Sequence, residues 1–268
     1  MENKKENKFI SFWKRIFKRA DEIMFPANIK CLGCGVDLPE KREIEFCDEC
    51  KKKIEYISED KCCSLCGTSL KQKNICPHCQ NNKREFDEAR SVCKYNDFMA
   101  SLIAKFKYHN HPYMSLTFGH MISKKFKELK YDVDLIVPVP ITKKRMKQRG
   151  FNQAELIAKV FAKDTNLPLC CEIIEKQTET SHQADLDYEE RQKNILGTFK
   201  VVNKKEVAGK NVLVIDDVFT TGATTSACAE VLKKAKAKHV YVLSVASTSY
   251  FDQKKPSKKV VKVSDFAS

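Results

Sequence analysis

The segment Val212-Leu213-Val214-Ile215-Asp216-Asp217-Val218-Phe219-Thr220-Thr221-Gly222-Ala223-Thr224 concentrates more reactive chemistry than any other stretch of this 268-residue chain. Four apolar residues read as a buried strand, and two acids follow at its carboxyl end. A turn of threonines and one glycine then leads into a helix. Backbone N–H groups, hydroxyls and a helix N-terminus converge there on one anion, which suits a phosphate. Two carboxylates would repel a bare phosphate, so they call for another partner. The vicinal hydroxyls of a ribose fit, with its 5′-phosphate in the turn of Thr220, Thr221, Gly222, Ala223 and Thr224. For either Asp taken alone, simple capping of the next helix is also open.

The second concentration of chemistry is in the cysteines. Eight of the 13 form the pairs Cys31/Cys34, Cys47/Cys50, Cys63/Cys66 and Cys76/Cys79. Each Cys-x-x-Cys makes a tight knuckle with two thiolates, and two knuckles complete a closed tetrahedral site, so two structural Zn2+ ions are expected. Gly35 and Gly67 follow knuckles whose turn needs a permissive backbone. One zinc is assigned to the first four cysteines and one to the second four, although the spacing also allows a cross-braced pairing. Cys62 could replace Cys63, and His78 reads as a surface residue. Cys93, Cys170, Cys171 and Cys228 read as buried apolar fillers. The module is expected to fold on its metal independently of the rest.

The formal charge of +14 is uneven, about +3 over residues 1–82 and +11 over residues 83–268. The basic surface therefore belongs to the second part and suits phosphate-bearing partners, small or polymeric, unless lysine is simply abundant throughout. No run reaches the roughly 20 apolar residues of a membrane span, and no secretory signal is read, so a cytoplasmic protein is expected.

The elements that must position this chemistry alternate between strand and helix patterns. Strands are expected at Ser91 to Tyr95, Leu135 to Pro140, near Cys171 to Ile174, at Asn211 to Ile215 and at His239 to Val245. Helices are expected after a cap at Asp97, at Leu116 to Leu129, Asn152 to Lys163 and Thr224 to Ala235. The fold class is therefore α/β, a parallel sheet flanked by helices. The divisions are an amphipathic helix within residues 1–30, a zinc module over 31–82, an α/β domain over 83–252 and a basic tail over 253–268. The apolar stripe of Phe9, Phe12, Trp13, Ile16 and Phe17 packs on the protein itself or lies on a membrane.

The acid pair followed by Thr-Thr-Gly-x-Thr resembles the ligand motif of type I phosphoribosyltransferases. Further segments sharpen this: Phe25-Pro26, Lys105-Phe106-Lys107, Val137-Pro138-Val139-Pro140, Arg149-Gly150-Phe151-Asn152-Gln153, and Gln183 with Leu186, Arg191 and Asn194. In this order they resemble the ComF family, the ComFC and GntX-like proteins with an N-terminal double zinc ribbon. The resemblance implies phosphoribosyl diphosphate or a related nucleotide as ligand, with Mg2+, and a link to competence and DNA uptake. It makes the loop from Pro140 to Gly150 the diphosphate receptor, with Lys143 and Arg149 foremost among its cations. Asp216, Asp217 and Arg149 become the candidate catalytic residues. The polar stretch from Gln177 to Asn194 takes the place of the closing loop, with Gln183 and Arg191 as its candidates. Two uses are open. The first is a Mg2+-dependent transferase. The second is a non-catalytic nucleotide sensor that binds single-stranded DNA, a competence helicase or a recombination protein.

Overall fold

The computed structural model describes residues 30–39, 44–108, 111–177 and 197–249. The expected N-terminal helix, the loop bearing Gln183 and Arg191, and the basic tail lie outside the described residues. Two short helices, α1 (Asp48–Lys52) and α2 (Pro77–Asn81), belong to the cysteine knuckles. Strand β1 (Glu88–Lys94) then leads to helices α3 (Asp97–Tyr108) and α4 (Met114–Glu128). Next come β2 (Leu135–Pro138), α5 (Lys143–Arg149), α6 (Gln153–Thr165) and the short strands β3 (Ile174–Lys176) and β4 (Phe199–Val201). The chain continues through β5 (Asn211–Phe219), α7 (Ala223–Lys234) and β6 (His239–Ser247).

The main sheet runs β1-β6-β5-β2 with every pair parallel, while β3 and β4 form a separate antiparallel pair. Central strands of such a sheet are covered on both faces, and β5 accordingly buries Val212, Leu213, Val214 and Ile215 completely. Alternate residues go to opposite faces. Val212 and Val214 join Val240, Val242, Cys228 and Leu232 on the α7 face. Leu213 and Ile215 join Leu102, Phe106, Phe118 and Phe161 on the face covered by α3, α4 and α6.

The cysteine module straddles the β1 edge. Ile57 N–H donates to Val92 O and Lys94 N–H to Glu55 O, so residues 55–57 shield an edge that would otherwise offer unpaired backbone groups. Cys31, Phe46, Cys50 and Ile54 sit in the core of one sheet face, and Cys63, Cys66 and Cys76 in the core of the other. Shared cores replace the independent module expected from sequence. Arg84, at the junction between the cysteine module and the α/β domain, is only 8% exposed.

Two local expectations change. Asn96, not Asp97, caps α3, accepting from the Met99 N–H at 3.0 Å. The segment expected as a diphosphate loop is largely helix α5. Its run of helix formers is capped by the Thr142 side chain, which accepts from the Arg145 N–H, and ended by Gly150 at φ 78°.

Candidate functional site

Strand β5 outruns its neighbour β2, whose last paired residue, Pro138, stands opposite Ile215. Asp216 and Asp217 therefore project past the sheet on that side, at the carboxyl end where open α/β sheets receive ligands. Strand alternation sends them to opposite faces. Asp217 meets the Lys107 ammonium from the end of α3 at 2.8 Å. Asp216 faces α7, where its charge is felt by Cys228. The Asp217 N–H donates to Asp216 Oδ1 at 2.8 Å.

Burial, and then the charge of Asp217, push the Asp216 carboxyl up to about 7, with Lys107 and Lys176 only partly offsetting them. Burial works against the Lys107 charge, yet Asp217 and Asp216 together hold its ammonium above the ordinary lysine range. Asp216 is thus a carboxyl whose charge is disfavoured by burial, beside an Asp217 already paired with Lys107.

The turn after β5 is shaped by its glycine. Gly222 sits at φ 75°, and a Cβ there would lie 2.5 Å from the Phe219 ring. Thr221 Oγ1 accepts from the Ala223 N–H at 3.3 Å, and Thr225 Oγ1 donates to Gly222 O at 3.1 Å. These two bonds tie the turn to the start of α7.

Arg149, the last residue of α5, stacks its guanidinium over the Tyr108 ring at 5.0 Å and donates to Tyr108 Oη and Gln153 Oε1. Its charge opposes that of Lys107, so Arg149, Lys107 and Asp217 share one neighbourhood. Lys143 lines a cleft of about 1040 Å³ between α5, the start of α6 and the β3–β4 pair, and Lys176 lines the same cleft. Cys170 and Cys171 are half-buried on the same wall rather than sealed fillers.

The eight knuckle cysteines form two clusters, Cys31/Cys34/Cys47/Cys50 and Cys63/Cys66/Cys76/Cys79, each with its sulfurs within 4.8 Å of one another. This resolves the pairing as consecutive. Four Zn–S arms of about 2.3 Å would set tetrahedral sulfurs about 3.8 Å apart. Cys34 to Cys47 and Cys66 to Cys76 both measure 3.7 Å. N–H groups of Cys47 and Cys76 point at the sulfurs of Cys31 and Cys63, as expected of thiolate ligands. The donor sets fit zinc. Cys62 bonds Glu59 O instead and stands outside both clusters.

A phosphoribosyl transferase domain signature matches residues 107–267, and a double zinc ribbon signature matches residues 21–80. The chain belongs to the phosphoribosyltransferase family. The ribbon and the relatives that follow make it similar to competence proteins. Competence protein F of Haemophilus influenzae is 26% identical over 227 residues, 82% of this chain and 97% of that protein. Competence protein ComFC of Bacillus subtilis is 29% identical over 209 residues, 75% of this chain and 83% of that one. Among solved structures, the B. subtilis glutamine phosphoribosylpyrophosphate amidotransferase complexed with ADP and GMP aligns over 53% of this chain and 30% of its own. The identity there is 19% and the TM-score 0.37.

In this phosphoribosyltransferase chain the structure gathers Asp216, Asp217, the 220–224 turn and Arg149, and it adds Lys107, Tyr108 and Lys176 to them. Lys107 had a sequence signal only through the Lys105-Phe106-Lys107 segment. Helical periodicity marks Phe106 as buried but does not say which flanking lysine turns toward β5. No helix among the described residues is long and apolar enough to cross a membrane.

Proposed function

We propose that this chain binds phosphoribosyl diphosphate, or a nucleotide with the same ribose 5′-phosphate, together with Mg2+. The observation that carries the reading is the joining of the Asp216–Asp217 pair to the Gly222 turn and the α7 N-terminus. The turn binds the 5′-phosphate through backbone N–H groups and threonine hydroxyls. The acids accept hydrogen bonds from the ribose hydroxyls, and Arg149 and Lys107 supply positive charge beside them.

The oxygen donors of Asp216 and Asp217 fit a hard cation, and the raised Asp216 carboxyl marks a place where positive charge is wanted. Mg2+ bound there with the ligand would neutralise diphosphate charge as a glycosidic bond breaks. Transfer of the phosphoribosyl group to an acceptor, with Asp216, Asp217 and Arg149 as the catalytic set, is the enzymatic use of such a site. The competence proteins among the relatives supply the DNA-uptake context.

A second use has its own observation. Tyr108 is 66% exposed with Arg149 stacked on its ring, next to the basic face of α5. Such a platform suits an unpaired base of single-stranded DNA, with a helicase or recombination protein as the further partner. Calorimetric titration with phosphoribosyl diphosphate and Mg2+ tests the main reading, and Asp216→Asn with Asp217→Asn should weaken it on the order of a hundredfold or more. Unchanged affinity in the double variant would make the pair a structural cap.

A further inference from the structure

The second cysteine cluster lies directly beneath the phosphate-shaped turn, and polar contacts join the two. Arg84, five residues past Cys79, is 8% exposed and donates from Nη1 to Thr221 O at 2.9 Å. The same guanidinium is close enough to the Cys79 sulfur to interact with it. Thr68, two residues past Cys66, donates to Thr248 O at 2.8 Å, and Thr248 Oγ1 donates to Thr220 O at 3.4 Å. The Glu85 N–H donates to Ser226 Oγ in the first turn of α7. Phe86 packs edge-on against Phe219, the ring that sits under Gly222. Cys66, Cys76, Arg84, Thr220 and Thr221 line one small cavity of about 10 Å³.

Such an arrangement has a physical consequence. A guanidinium is a rigid fork, and this one spans a thiolate ligand of the metal and a carbonyl of the turn. With metal bound, the Cys79 sulfur and the helix carrying it are fixed, so Arg84 holds the Thr221 carbonyl, and with it the turn, in place. Without metal the anchor is lost, and the turn pays its own ordering cost before it can bind.

We propose that Arg84 is a positioning residue that couples the Cys63/Cys66/Cys76/Cys79 zinc site to the Thr220–Gly222 phosphate turn. Because linkage is reciprocal, a 5′-phosphate in the turn slows zinc loss from this cluster and not from the other. The inference rests on the ribose 5′-phosphate reading of the turn given above.

The test uses the full chain with both zinc ions and ribose 5-phosphate as probe. Zinc release to a chromogenic chelator is followed with and without saturating probe, and calorimetry establishes binding independently. One of the two ions should leave about five- to tenfold more slowly with probe bound, and the other at an unchanged rate. Arg84→Ala should still carry two zinc ions and lose the protection. Arg84→Lys keeps the charge and one donor nitrogen but not the fork, so it should retain part of the protection, and it keeps the test decisive where the alanine variant costs the fold. Probe that binds while protecting neither ion overturns the coupling alone. Equal protection of both ions, or protection that survives Arg84→Ala, overturns the role of Arg84. A probe that does not bind at all overturns the phosphate reading and the coupling with it.

Discussion

The two cysteine clusters share a ligand set and knuckle spacing but differ in what surrounds them. The first, at Cys31/Cys34/Cys47/Cys50, anchors one end of the α3–α4 face, with Cys34 open to solvent and Gly33 pressed between Cys50 and Phe98. The second, at Cys63/Cys66/Cys76/Cys79, has three buried cysteines and is wired to the turn between β5 and α7. The same metal chemistry therefore serves two ends. One site staples a helical layer, and the other forms the floor beneath a candidate ligand turn. Spacing of ligands determines that a metal binds; packing around the ligands determines what the metal supports.

Ligand removal should expose this difference most strongly. A structural zinc contributes on the order of 10 kcal/mol to the fold that closes around it. Cys66→Ser, in the core shared with β1, β5 and α7, should lose its zinc and the cooperative melting of the whole chain. Cys34→Ser, at an exposed corner, should lower the thermal midpoint while the sheet still melts as a unit. Circular dichroism melts with zinc analysis check this, and equal losses would make the two clusters equivalent.

The knuckle glycines give a finer version of the same comparison. Gly35 and Gly67 follow the second cysteine of their knuckles and have φ of 77° and 66°. A Cβ on Gly35 would meet nothing within 4 Å, whereas one on Gly67 would lie 2.5 Å from Ala89 O on β1. Gly35→Ala should therefore cost only the left-handed backbone penalty, about 1 kcal/mol. Gly67→Ala adds a backbone clash, for a total of about 2–4 kcal/mol. Chemical denaturation of the two variants decides it, and similar midpoints would mean that the second knuckle is not clamped to the sheet.

Much of this was legible in the sequence because local signals agreed. The apolar run Val212 to Ile215, the acid pair and the Thr-Gly turn each point to one strand, one sheet end and one helix start, and the knuckle spacing named all eight ligands. What stayed hidden depends on tertiary packing. Nothing in the order of residues says that the ribbon splits its clusters between the two faces of the sheet, or that Arg84 turns inward. The basic segment after Pro140 was misread as loop because the expected role of its cations outweighed the caps at Thr142 and Gly150, which were there to read. Cys170 and Cys171 looked like fillers by type, but the bridge of Leu169 to Ile136 leaves them on the wall of a cleft.

The last effect expected is a pH-dependent one, and it lies on the second cluster's side of the molecule. Asp216 is raised to about 7 by burial and by Asp217, above the ordinary 3.8 of an aspartic acid. A carboxyl raised on folding favours the folded state fully below pH 4, and that contribution is lost as pH rises through about 7. The folded chain should therefore weaken between pH 5 and pH 8 by an Asp216-dependent amount on the order of 1–3 kcal/mol. Asp216→Asn removes the titration while leaving Asp217, Lys107 and Lys176 in place, so the variant should gain stability over the parent as pH rises. Urea denaturation of both proteins at pH 5 and pH 8 isolates the difference, since every other titrating group is common to the two. Added Mg2+ with ribose 5-phosphate should diminish the gap by stabilising the ionised carboxyl of the parent chain. A gap that stays constant with pH would show that Asp216 titrates normally, and the burial cost assigned to its charge would then have to be given up.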